Sequence, residues 1–267
     1  MSGIDGETRW QRLRREDVLE AARADAVIVQ PIGSIEQHGP HLPLDTDSYT
    51  SEAIALRAAA AASFPVLVLP TVWWGVSEYW MGFGGTIALQ PGVLADLLTD
   101  ILGGVARNGF RRALLLNGHG GNPATMHTVA VRLLGRGLKV VGINYWALVR
   151  DLLKEKSRAD GGSIGHAGEV ETSLQLALRA DLVRADLAPR EGTEMPRSVL
   201  GKWAELVVAA PDPAVESPLG VYGAAAAASA SFGDEILEGA TSRLVDLLED
   251  FRNVPVSPAG PSSEGAP

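Results

Sequence analysis

The chain has 267 residues, 46% of them hydrophobic, which is enough to build one substantial core. Its formal net charge of −9 offers no basic patch for a phosphate backbone, so nucleic acid is not an expected partner. With no cysteine, disulfides and thiolate metal sites are excluded, and a bound metal would have to use imidazole and carboxylate ligands. No run of about 18 apolar residues is suited to a bilayer, and the amino terminus lacks the apolar core of a secretory signal. The expectation is therefore a cytoplasmic protein without membrane contact.

Short apolar runs recur at 26–32 (AVIVQPI), 65–72 (PVLVLPTV), 111–117 (RRALLLN) and 139–145 (KVVGINY), and read as buried strands. Between them, 47–62, 91–109 and 122–137 are rich in helix formers and begin at Asp, Pro or Asn. Two further amphipathic helices are expected over 168–181 and 234–253, with an unassigned Pro-containing stretch between them. This β-α-β alternation predicts an α/β fold with a mainly parallel sheet covered on both faces. A single domain over 1–253 is expected, and the Pro-, Ser- and Gly-rich 254–267 reads as a loose tail.

Four of the five histidines fall in Gly- or Pro-rich segments at predicted strand ends, where α/β sheets bind ligands. In PIGSIEQHGPHLPLDTD (31–47), Glu36 and His38 stand two apart and would project to one side of an extended backbone. Asp47 lies at a predicted helix start, where it could cap the helix or bridge two cations. LLLNGHGGN (114–122) carries a strand into the glycine-flanked His119; it lacks the Lys and Ser/Thr of a phosphate loop. In GHAGEVETS (165–173), His166 and Glu169 are three apart and could face one site from a helical turn, or serve only as cap and surface residues. His127 reads as an ordinary helix residue, and His41 as a residue that orients a ligand or holds its loop. Trp73, Trp74, Tyr79 and Trp80, with Ser77 and Glu78 among them, could wall a substrate pocket or pack in a core or subunit interface.

The motifs GSIEQHGPHLPLDTD, NGHGGN and GHAGEVETS, in this order, resemble the creatininase family of metal-dependent amidohydrolases, from the first strand to at least Tyr222. The resemblance implies a three-layer α/β/α sandwich that binds two divalent ions (zinc, manganese or iron) and forms homo-oligomers, often hexamers. It also implies that Glu36 and His38 each hold one ion, that Asp47 bridges both and that His119 completes the first site. Creatinine-hydrolysing members carry a glutamate where this chain has Gly121, so a replacement carboxylate is needed, and Glu169 is the expected one. Those members also close the site with a tryptophan-bearing loop, whereas RADGGSIG (158–165) has no tryptophan, which argues against creatinine as substrate.

The implied chemistry is attack of a metal-bridged hydroxide on a carbonyl, cleaving a C–N bond of a small cyclic amide, formamide or peptide-like substrate. His166 is expected to pass the proton to the leaving nitrogen, with Glu169 as its competitor for that role. Ser77, Glu78, Trp80 and Gly121 are the candidate substrate contacts. The alternatives are C–C hydrolysis of a cyclic keto-sugar at the same site and a metal-stabilised scaffold without catalysis.

Overall fold

A computed structural model describes residues 6–158, 164–190 and 212–257. The chain begins with α1 (Arg15–Arg23), then alternates β1 (Val27–Ile32), α2 (Thr46–Ala61), β2 (Val66–Val68), α3 (Pro91–Arg107), β3 (Arg112–Asn117), α4 (Pro123–Arg132) and β4 (Lys139–Asn144). The short helices α5 (Tyr145–Leu148) and α6 (Arg150–Lys156) follow, then α7 (Glu169–Arg179), the one-turn α8 (Pro213–Glu216) and the long α9 (Ala230–Arg252).

The strands form one parallel sheet in the order β2-β1-β3-β4. β1 and β3 are central and buried along their whole length, because each of their faces meets a helical layer. Side chains alternate between those layers. Val27, Val29, Leu114 and Leu116 pack with α2, α5, α7 and α9, whereas Ile28, Ile32, Ala113 and Leu115 pack with α1, α3 and α4. The expected three-layer α/β/α sandwich is what the chain forms.

Element ends differ from expectation where local chemistry intervenes. β2 stops at Val68 instead of running to residue 72; two residues on, Pro70 has no N–H to offer a ladder. α4 ends at Arg132 instead of 137, ahead of Gly135 and Gly137, which both take φ of +75°. The amino-terminal helix α1 lies outside every segment expected to be helical. Of the expected tail over 254–267, residues 258–267 lie outside the described residues. Among the described residues no helix is long and apolar enough to cross a membrane.

Leu115 sits at the centre of β3 with no exposure. Leu115→Ala should lower the free energy of unfolding by about 2–5 kcal/mol, the cost of the lost methyl groups and the cavity they leave, measured by urea titration. A change under about 0.5 kcal/mol would mean that the layer is loosely packed.

Candidate metal centre

β1 and β3 are neighbours, but the helices that follow them lie on opposite faces, α2 with one layer and α4 with the other. The crevice at their carboxyl ends is the topological switch point of the sheet, the usual ligand position in such folds. The β1 exit delivers Glu36 and His38, the first turn of α2 delivers Asp47, and the β3 exit delivers His119 two residues past the strand. The segment before α7 adds His166, and the first turn of α7 adds Glu171. All six are at most 7% exposed.

Their potential ligand atoms form three groups, each within 4.8 Å: Glu36, Asp47 and His119; His38, Asp47 and Glu171; Glu36, His38 and His166. Asp47 belongs to the first two. Its Oδ1 lies 3.1 Å from His38 Nε2 and its Oδ2 lies 3.0 Å from His119 Nδ1, so its two oxygens face two sides.

Each histidine is oriented from behind by a backbone carbonyl. His38 Nδ1 donates to Glu36 O at 3.1 Å, His119 Nε2 to Val76 O at 2.9 Å, and His166 Nε2 to Gln37 O at 2.9 Å. With a proton on each of these nitrogens, His38 Nε2, His119 Nδ1 and His166 Nδ1 are the atoms turned toward the carboxylates, able to hold a cation once they are unprotonated. Both Glu36 oxygens are buried and accept no hydrogen bond among the described residues, although His119 Nδ1 is 3.1 Å from Oε2. A carboxylate in that position is costly unless a cation completes it, and imidazole–carboxylate donors suit zinc, manganese or iron. The residues present therefore fit a pair of divalent ions.

The electrostatics agree. Burial works against charge on His38, yet Asp47, Glu171 and Glu36 outweigh it and lift the imidazole to about 10. His119 is held well above its ordinary value, burial again being overcome by Glu36, Tyr79 and Asp47. Burial alone would raise Asp47, but the two histidines beside it hold it far below the carboxylate range. Burial raises Glu171, and burial together with the charge on His38 pushes His166 well below its usual range. Surroundings that favour positive charge on two buried imidazoles also favour cations, bound as those protons leave.

The expected second carboxylate lies outside these groups. Glu169 turns away from the ligand groups: its Oε2 accepts from Ser157 Oγ at 2.8 Å and from Arg158 N–H at 2.6 Å. Glu171 stands in the cluster instead, 3.8 Å from His38 Nε2 and accepting the Ala167 N–H at 2.5 Å. The helical spacing assumed between His166 and Glu169 does not exist. Ala167 takes φ of +52° and Gly168 is extended, so α7 begins only at Glu169. Two residues apart in a first turn, Glu169 and Glu171 point to different sides.

The remaining candidates are scattered. Trp80 stacks on His166, with ring centroids 3.9 Å apart and planes 18° apart. Ser77 is buried and bonded to Ser34 Oγ at 3.0 Å, while Glu78 is exposed. Gly121 lies beneath the 76–79 segment, where an added Cβ would collide with the Val76 carbonyl oxygen and stand 2.9 Å from Tyr79 Oη. That collision explains why no glutamate can serve from this position. Gly121→Ala should cost roughly 1–3 kcal/mol by overpacking and displace His119, read as a lower Tm and weaker metal uptake. Unchanged Tm and uptake would remove this account. His41 is buried and bonds Thr172 Oγ1 at 3.0 Å, next to Glu171; burial and the charge on His38 bring it down to about 4. Tyr79, noted only as one of an aromatic group, reaches His119 Nε2 at 3.1 Å.

Residues 11–248 match the family model for creatininase, described as creatinine amidohydrolase. The chain belongs to the creatininase family. It is 31% identical to the creatinine amidohydrolase of Pseudomonas putida, over 92% of this chain and 95% of that one. It is 28% identical to the 3-dehydro-scyllo-inosose hydrolase of Thermotoga maritima, over 91% of this chain and 83% of the other. A solved structure named Creatininase Mn superposes with a TM-score of 0.79 at 29% identity, over 92% of this chain and 99% of that one. Family membership and these relatives make the chain a hydrolase.

Proposed function

We propose that this hydrolase cleaves the C–N bond of a small cyclic amide, formamide or peptide-like substrate at a two-metal centre. The observation that carries the reading is the convergence of three histidines, each held from behind by a backbone carbonyl, on carboxylates that include one shared between two ligand groups. In it Glu36, Asp47 and His119 hold one ion, and His38, Asp47 and Glu171 hold the other. Two such ions supply an acidified water and a polarised carbonyl when bound.

The protein's own groups do the rest. His166 keeps Nδ1 free toward Glu36 Oε1 at 3.5 Å, because its Nε2 proton is committed to Gln37 O. Nδ1 is thus the atom that takes up a proton and returns it to the leaving nitrogen. An antiparallel bridge fixes the backbone beneath it, His166 N–H to Tyr222 O at 2.9 Å and Tyr222 N–H to His166 O at 2.8 Å. Burial of the whole cluster excludes bulk water and strengthens each charge interaction.

Elemental analysis of the purified, metal-reconstituted protein should find about two ions per chain. A panel of cyclic amides, formamides and short peptides should then yield amine or ammonia. The similarity to a 3-dehydro-scyllo-inosose hydrolase supports a second reading, C–C hydrolysis of a cyclic keto-sugar at the same site, in which no amine is released. Failure to bind metal after reconstitution with zinc, manganese or iron would sink both.

A further inference from the structure

The six clustered side chains are almost fully buried, and what lies on two of them is a single 3-10 turn, Glu78–Phe83. Consecutive residues of this turn place one aromatic ring on each of two site histidines. Tyr79 lies nearly parallel to His119, with centroids 6.1 Å apart, planes 17° apart and its hydroxyl 3.1 Å from Nε2. Trp80 lies against His166 at 3.9 Å, and is itself flanked by Phe83 at 5.7 Å and Tyr222 at 6.1 Å. The other side of the turn faces solvent, with Met81 at 46% exposure.

The turn is anchored at its ends, and between them its backbone hydrogen bonds are mostly its own while its two inner rings supply the packing. Ser77 is bonded to Ser34, and Ile87 N–H donates to Ile35 O at 2.9 Å. Within the turn, Trp80 N–H closes on Ser77 O and Gly84 N–H on Met81 O, both inside the segment. The Thr86 hydroxyl reaches Trp80 O at 3.4 Å. Gly84 then takes φ of +80° and ψ of 166°, a conformation essentially reserved for glycine, and Gly85 follows at φ of +75°. A Cβ on Gly84 would touch nothing within 4 Å, so backbone conformation and not packing requires glycine there.

We propose that the 78–83 turn is a movable cover over the metal centre, with Tyr79 and Trp80 as its inner face and Gly84 as its hinge. The inference rests on the two-metal reading above. Ions and substrate reach the cluster when the turn lifts, and the rings reseal it by stacking on His119 and His166. Tyr79 and Trp80 are thus positioning residues, acting through the histidines they cover.

Release of zinc to excess 4-(2-pyridylazo)resorcinol tests this without any substrate. Zinc-loaded wild type is first analysed for its ion content, and release is then followed by the absorbance of the zinc complex. Opening-limited release gives a rate that levels off as chelator concentration rises. Trp80→Ala should release zinc about tenfold faster, since loss of a stacked ring weakens the closed state by roughly one power of ten. Trp80→Phe, which keeps a ring, should restore much of the difference. Gly84→Ala should also speed release with its ion content unchanged, and because its methyl group meets no neighbour it tests the hinge even where a Trp80 variant folds poorly. Two ions bound, with wild-type release rates in Trp80→Ala and Gly84→Ala, would overturn the cover and leave the metal centre standing. Failure of the wild type to hold two ions would remove the metal reading and the cover together.

Discussion

Glu171→Ala should cut the metal content from about two ions per chain to about one, whereas Glu169→Ala should leave both in place. The two glutamates are two residues apart and both are buried, so composition and burial do not separate them. Geometry does. Glu171 stands beside His38 and Asp47, and removing it would leave the proposed second ion with only those two protein ligands. Glu169 accepts from Ser157 and Arg158, so its loss should remove those two hydrogen bonds, disturb the exit of α6 and lower Tm modestly. Asp47→Ala is the stronger companion, since Asp47 belongs to both ligand groups and its loss should empty both sites. Elemental analysis of the three variants beside wild type decides the matter. One ion in Glu169→Ala with two in Glu171→Ala would reverse the assignment.

Metal content should also show in stability. Glu36, Asp47 and Glu171 are buried together, and removing their cations leaves carboxylates that must be protonated or balanced by the neighbouring histidines. Binding to the folded state alone adds about 4 kcal/mol when the free ion stands at a thousand times its dissociation constant. Chelation should therefore lower Tm in wild type and change it little in Asp47→Ala.

The layers and five of the six cluster residues, His166 among them, are legible in the sequence. β1 and β3 read as strands since burial on both faces demands uninterrupted apolar runs, and Val27–Ile32 and Arg112–Asn117 supply them with few exceptions. Glu36, His38, Asp47 and His119 stand out because polar, metal-ligating residues at strand exits have no role in the core, so their density there marks a site. What stayed hidden depends on backbone turns that composition does not encode. Ala167 in the left-handed region shifts the start of α7, and with it the glutamate that faces the cluster. Without that turn the choice between Glu169 and Glu171 is open, although the sequence offers both in GHAGEVETS. The placement of Tyr79 and Trp80 over His119 and His166 is a tertiary contact between segments about 40 and 86 residues apart, which no periodicity announces.

His166→Ala should lower kcat by roughly 10²–10⁴-fold on any amide the wild type hydrolyses, with about two ions still bound and KM changed far less. The expectation follows from where the ring stands. Its Nδ1 points at the cluster, but its neighbours there, Glu36 and His38, are already engaged in the two groups that share Asp47. In the proposed centre each of those groups holds three ligands without it, which leaves His166 for proton transfer. Trp80 on its face and Gln37 O behind Nε2 hold the ring in one orientation while the site is closed, which keeps Nδ1 turned toward the cluster. Substrates with a better leaving group need less help in protonation, so the loss of kcat in His166→Ala should shrink as the leaving amine becomes less basic. A variant that binds only one ion would make His166 a ligand. A uniform loss of kcat across leaving groups, with both ions retained, would assign the proton transfer to another residue.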